Sequence, residues 1–392
     1  MSSLTYSDIH CRCGERATRS GGLSIDIDNV FFTDGRQPQR YGVHMDSALG
    51  ARPGAGRVTI GDVARVAGVS IPTVSKVINQ RDGVAPATML RVQQVVADLG
   101  YETSLVARSL RSSRTDVIGI LVPEFEPFST ELLRGISRAA TGTGYELLAY
   151  AGLMTGADRP GWERRSLSRL SGTLIDGAIV VTPTTALSSS SIPVVAIDPH
   201  TGPEGHATVD ADNEGGAVQA VEHLIALGHT RIAHLQGRAD LASAQLRAAG
   251  YRAALTAAGI AVDERLLRDG GYQEDQSAAV ARDLLTLADR PTAVFAANDS
   301  SAIGVLRAAA EVGLRVPQDL SVVGFDDVPQ ASTTTPPLTT VSQPLAELGS
   351  QAVQMLLTML RGESAAEHVR LSTTLRVRAS TAPAPAVVAS AA

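Results

Sequence analysis

From Val117 onward, short apolar runs of strand length alternate with longer stretches at helical spacing, and this rhythm restricts the fold to βαβ units. The runs are VIGILV, YELLAYA, GAIVV, PVVAI, RIAHLQ, TAVFAA and LSVVGF. Between them lie segments such as STELLRGISRAATGTG, EGGAVQAVEHLIALGH, SAQLRAAGYRAALTAAG and SSAIGVLRAAAEVG. Strands this continuously apolar belong to parallel sheets covered by helices on both faces. Seven or more such units exceed one compact open sheet, so the pattern predicts two α/β lobes.

The rest of the chain is organised differently. Residues 1–57 show no sustained hydrophobic period and are rich in Gly, Ser, Arg and Asp, so a disordered N-terminal extension is expected. Met45 precedes the loose stretch DSALGARPGAGR and is a candidate true start. A flexible tail is expected over 381–392. Cys11 and Cys13 are the only cysteines, too few and too close for a disulfide framework, which fits a reducing cytoplasm. With His10 they make a cluster that lacks a fourth ligand, so neither metal nor cofactor is expected. No apolar run approaches the roughly 18 residues of a membrane span, and no secretory signal opens the chain.

Charge separates the segments as well. The whole chain carries −6, yet residues 58–114 carry seven basic side chains against four acidic ones, and the remainder from Thr115 carries −10. A small basic block joined to a large acidic one suggests a nucleic-acid-binding head on a body with another task.

Within that block lies VTIGDVARVAGVSIPTVSKVINQ, which holds Lys76, the only lysine of the chain. Thr59 can cap a helix, with Asp62 three residues on completing a box-like start. Val63, Ala64 and Ala67 share a face before Gly68 turns the chain. After Ser70, a second cap, the next helix turns Val74, Val77 and Ile78 inward. Its other side presents Ile71, Pro72, Thr73, Ser75, Lys76 and Asn79. A third helix, ATMLRVQQVVADLG, would close the core with Leu90, Val92, Val95, Val96 and Leu99. Two short helices joined by a Gly-containing turn form a helix-turn-helix, whose second helix reads bases from its N-terminal residues while hydroxyls and amides suit phosphates.

This stretch, followed by LGY and VARSLRS, closely resembles the lactose-repressor (LacI/GalR) family of bacterial transcription regulators, and the likeness runs through nearly all of residues 58–380. It implies a helix-turn-helix domain over 58–103, a hinge helix and linker over 104–115, and a two-lobed, periplasmic-binding-protein-like effector and dimerisation domain over 116–380. By the same likeness Ile71, Pro72 and Lys76 read bases, and Thr73, Ser75 and Asn79 contact phosphates. Thr59 and the hinge residues Ala107 and Leu110 also meet the DNA, with Leu110 as the minor-groove wedge. Lys76 stands where the family most often has arginine and lacks that residue's rigid fork. Thr103-Ser104 replaces the usual Pro-Asn, Ala85-Pro86 stands where a Ser cap is common, and Met89 replaces a frequent arginine. Each departure removes a cap or a phosphate contact.

In the body, the loop PEFEPFSTELLRGI resembles the family's NPFF segment and brings Phe128 to the cleft. Asp198, Arg247, Asn298 and Asp326 match the family's polar cleft positions, and Tyr272 its aromatic one. Such loops follow parallel strands at their carboxyl ends, where these folds place ligands. Carboxylates, an amide and an arginine beside aromatic rings suit sugar hydroxyls, so a sugar is the favoured effector. Asn298 could also cap a helix, Asp327 could bond locally, and Arg247 could grip a carboxylate or phosphate.

The resemblance therefore implies a cytoplasmic, nucleoid-associated homodimer on palindromic double-stranded operator DNA, a repressor governed by a small ligand and not an enzyme. A transport solute-binding protein would account for the body but leave the head without a purpose. An α/β enzyme would need a glycine-rich phosphate loop, a Ser-His-Asp order or a metal cluster, none of which the sequence offers.

Overall fold

The computed structural model describes residues 58–79, 81–101, 114–152, 161–187, 190–203 and 205–385. Hinge residues Ala107 and Leu110, the His10–Cys11–Cys13 cluster and Met45 all lie outside the described residues. The chain divides into two compact units, the first ending at Tyr101 and the second running from Glu102.

The first unit packs three helices, α1 (Ile60–Ala67), α2 (Ile71–Ile78) and α3 (Pro86–Leu99). Thr59 caps α1 through a reciprocal box with Asp62, and this pulls the Asp62 carboxyl down to about 2. Gly68 closes α1 in the left-handed conformation that a side chain would strain. Ser70 caps α2, whose second residue, Pro72, cannot continue a helix behind it but suits its start. Val63, Ala64, Ala67, Val74, Val77 and Val92 form the core, with Met89, Val95, Val96 and Leu99 packed against it. Leu90 is a correction: it is 68% exposed. Met89, Val92, Val96 and Leu99 follow the 3, 4, 3 spacing of one helix face, and Leu90 points nearly opposite to Val92 on the same helix.

In the second unit each lobe is built on a six-stranded sheet. Lobe one orders its strands β11-β5-β4-β3-β1-β2, all parallel: β1 (Val117–Val122), β2 (Glu146–Ala151), β3 (Gly177–Val181), β4 (Val194–Ile197), β5 (Ala207–Ala211) and β11 (His368–Leu371). Helices α4 (Pro127–Ala140), α5 (Trp162–Leu170) and α10 (Leu345–Leu360) cover it. Lobe two orders β12-β10-β9-β8-β6-β7: β6 (Ile232–Gln236), β7 (Leu267–Asp269), β8 (Ala293–Ala296), β9 (Ser321–Asp326), β10 (Thr339–Ser342) and β12 (Thr374–Arg376). Only β12 runs antiparallel there. Its helices are α6 (Asn213–Ala226), α7 (Ala242–Ala257), α8 (Glu274–Leu285) and α9 (Asp299–Glu311). Each central strand is buried along its length, as β1 is at all six positions, because helices take both faces.

The chain passes between lobes three times, at Asp212, at Gln343–Pro344 and at Ser372–Thr373. Two of these crossings are tied together: the Thr373 hydroxyl donates to the Asp212 carbonyl at 3.1 Å, and the Gln219 amide donates to the Thr373 carbonyl. The tail needs a second correction. Ala382 N–H donates to Ser321 Oγ and Ala384 N–H to the Leu227 carbonyl, so residues 381–384 are fastened to lobe two by hydrogen bonds that composition does not announce.

Helix pairs meet at glycines. A Cβ on Gly135 of α4 would lie 2.0 Å from the Ala346 carbonyl oxygen of α10, and one on Gly304 of α9 would lie 2.4 Å from the Glu274 carbonyl of α8. Because the obstacle is backbone, Gly135→Ala must push α4 and α10 away from each other. It should cost about 1–3 kcal/mol. Urea unfolding measures it, and an unchanged midpoint would show that α4 and α10 can slide.

Candidate functional site

Two surfaces collect the residues that the sequence singles out. On α2, Ile71, Pro72, Lys76 and Asn79 are exposed, with Thr73 and Ser75 partly so. Ile71 is 49% exposed, an apolar side chain with no place in the core of its own unit. The polar groups hold one another: Thr73 Oγ1 lies 2.9 Å from Ser70 Oγ, and the Asn79 amide donates to the Ser75 carbonyl at 2.6 Å. Thr59 is committed to its cap. Lys76 sits in the last turn of α2, where the helix dipole favours a cation.

The second surface is a cleft between the lobes with an empty volume of about 920 Å³, its open mouth included. All six body residues named from the sequence line it. Phe128 comes from the first turn of α4, which follows β1. Asp198 directly follows β4, Tyr272 follows β7, Asn298 follows β8 and Asp326 ends β9. Arg247 reaches it from α7. Each strand-end residue is there because parallel strands deliver their carboxyl ends, and so their loops, to one edge of the sheet.

Arg247 organises the floor. It is 3% exposed and donates Nε to Asn213 Oδ1 at 2.8 Å and Nη1 to the Ala297 carbonyl. Its Nη1 stands 3.5 Å from Asp326 Oδ1, and its guanidinium lies over the Phe325 ring at 3.8 Å. Asp326 also accepts a 2.7 Å hydrogen bond from Gln343 at a lobe crossing. Burial nonetheless pushes the Asp326 acid up to about 6, against the pull of Arg247. Burial likewise raises Asp198, again opposed by Arg247. Asn298 is engaged at both ends: its oxygen caps α9 through Ser301 N–H at 2.9 Å and its amide donates to the Tyr272 carbonyl. Asp327 does not line the cleft and pairs with Arg378 at 2.5 Å.

Several lining residues carry no obvious mark in the sequence. Trp162, at the start of α5, gives a third aromatic ring beside Phe128 and Tyr272, and Thr182, Ser243 and Glu126 are among the other wall residues. Glu163, fully buried next to Trp162, fixes that wall by accepting from the Thr184 hydroxyl and the Thr185 N–H. Four lining residues take positive φ without being glycine: Thr182 at 45°, Asp198 at 50°, Tyr272 at 63° and Asp326 at 113°. Such backbone is uncommon outside glycine, and here it gathers around one cavity. Gly237 completes the fit, because a Cβ there would enter the Tyr272 ring at 2.1 Å.

The arrangement offers paired acceptors and donors, three rings and a fixed cation, with binding groups from both lobes. Comparison with known proteins places it. Residues 59–104 match the family described as bacterial regulatory proteins, lacI family, and residues 221–381 match the periplasmic binding protein-like domain. The chain is 38% identical over 311 residues to the ribose operon repressor of Escherichia coli (strain K12), covering 76% of this chain and 92% of that one. The structure of a transcriptional regulator CelR–cellobiose complex is similar with TM-score 0.62 and 33% identity, covering 83% of this chain and 100% of the other. The structure of the lac repressor dimer bound to operator and the anti-inducer ONPF is similar with TM-score 0.71 and 30% identity, over 83% and 100%.

Proposed function

Because the chain belongs to the lacI family of bacterial regulatory proteins, we propose that it is a sequence-specific DNA-binding transcriptional repressor whose operator affinity is set by a sugar held between its two lobes. The observation that carries this reading is the cleft: preorganised polar groups from both lobes beside Phe128, Trp162 and Tyr272 match a ring bearing many hydroxyls. Phe128, Asp198, Arg247, Tyr272, Asn298 and Asp326 are its effector contacts. On the DNA side, Ile71, Pro72 and Lys76 face base edges, and Thr73, Ser75 and Asn79 face phosphates. Asn79 and Thr73 must release or share their local bonds to do so. The working form is a homodimer in the bacterial cytoplasm, since one short α2 reads only half of a palindromic operator. The similar proteins are regulators, and this chain acts by binding and not by turnover.

The test is a melting-temperature screen of ribose, glucose, cellobiose and other mono- and disaccharides, followed by operator titration with and without each hit. A ligand that binds only the native state must raise the melting temperature. A chain that binds no operator DNA in any condition would refute the regulator reading. Lys76→Ala should cost about 1–3 kcal/mol on the operator, concentrated at one base pair of each half-site. Equal losses on operator and random DNA would reassign Lys76 to phosphate contact.

A further inference from the structure

Glu126 occupies the N-cap position of α4 but makes no capping hydrogen bond with its side chain. It lines the cleft instead, with Glu124 and Asp198 on its own lobe and Asp326 on the other. Among the described residues no donor reaches its carboxylate. Burial pushes the acid up to about 7, and Asp326 and then Glu124 push it further in the same direction.

The cations lining the cleft are already matched. Arg247 is held by Asn213, the Ala297 carbonyl and Asp326. Arg238 lies in a two-pronged pair with Asp240, at 3.1 and 2.9 Å. His200 is kept neutral, its ring pushed down to about 4 by burial. Of the helix starts that reach the cavity, those of α4 and α9 are no better for an anion. At α4 the first residue is Pro127, which has no N–H, and the residue before it is Glu126. At α9 the cap is Asn298, followed by the buried carboxyl of Asp299. A phosphate needs basic side chains or free N–H groups pointing at it, and neither the paired cations nor the α4 and α9 starts supply them.

We propose that Glu126 sets the charge selectivity of the cleft, accepting a hydrogen bond from a hydroxyl or ammonium group of a neutral or amino sugar and excluding sugars that carry a phosphate. This rests on the sugar reading above. Asp326 faces the same ligand from the other lobe, so a donor-rich ring relieves the repulsion between the two carboxylates, whereas a phosphate adds to it.

The experiment titrates the full-length protein and its Glu126→Gln variant with ribose, glucose, glucosamine, cellobiose, ribose 5-phosphate and glucose 6-phosphate by calorimetry. Wild type should bind at least one uncharged or amino sugar and bind the matching phosphate more than tenfold more weakly. Glu126→Gln should weaken the preferred sugar about tenfold, the value of a hydrogen bond to a charged acceptor. It should melt no lower than wild type, which separates the loss from misfolding. Phosphate binding within tenfold of the parent sugar, or a loss under fivefold in the variant, overturns the inference while leaving the sugar reading intact. If no sugar binds wild type, the sugar reading falls and the inference falls with it.

Discussion

Arg247→Ala is expected to remove the ligand response altogether and to destabilise the two-lobed body by about 3–5 kcal/mol. The side chain is 3% exposed, and its loss strips Asn213 Oδ1 and the Ala297 carbonyl of their donor and leaves Asp326 with Gln343 but without its ion-pair partner. Arg247 also draws both Asp198 and Asp326 toward ionisation against burial, so without it both acids are driven further toward the protonated form. A buried acceptor left unpaired costs more than the bond was worth. Urea unfolding and ligand titration of the same preparation check the prediction. A variant within about 1 kcal/mol of wild type would show that water replaces the guanidinium without penalty, and Arg247 would then be a ligand contact and nothing more. Phe128→Ala is the cleaner binding probe, since Phe128 is only partly buried and makes no hydrogen bond with its ring.

The contrast between those two variants marks the limit of sequence reading. Asp198, Asn298 and Asp326 are legible because each stands at the end of an apolar run, and a parallel sheet sends all such ends to one edge. What the sequence does not carry is how each is held. Nothing in AQLRAAGY distinguishes a cleft arginine from one stacked on Phe325 and bonded across to Asn213. Trp162 follows no strand-like run, and Thr182 takes a φ that a β-branched residue gives no sign of adopting. Gln343 becomes a site neighbour only because the chain changes lobes there. The seven apolar runs are all strands, whereas β5, β7, β10, β11 and β12 escape notice because ATVDA, LRD, TTVS, HVRL and TLR are short or polar. In the helix-turn-helix unit Leu90 falls off the 3, 4, 3 spacing that sets Met89, Val92, Val96 and Leu99 on the core face.

One residue of lobe two should cost the fold stability as pH falls, a cost that the cleft acids mask in the wild type, and His234→Phe should expose it. His234, in β6, is fully buried between two rings, stacked on Phe295 at 4.7 Å and on Tyr251 at 5.1 Å. Nδ1 is 3.0 Å from the Phe295 carbonyl and so donates to it, while Nε2 has no partner among the described residues. Burial pushes the ring down to about 4 from an unfolded value near 6.5. A depressed folded-state value means the contribution is intact above the unfolded value and is lost as pH falls toward the folded one. Between pH 7.5 and pH 5 that loss is about 2 kcal/mol for His234 alone. The cleft acids run the other way: Asp326 and Glu126 are raised, so they penalise the fold increasingly as pH rises through about 6 and about 7. In the wild type the two trends oppose each other, and stability should vary little across this window. His234→Phe removes the histidine arm, keeps a ring in the stack and loses one hydrogen bond at every pH. Its unfolding free energy should therefore start lower at pH 7.5 and then rise relative to wild type as the solution is acidified. The slope, read by urea unfolding at several pH values, isolates ionisation from packing. A variant whose deficit stays constant from pH 7.5 to pH 5 would mean that His234 takes up its proton in the folded core, with Nε2 finding a partner on protonation.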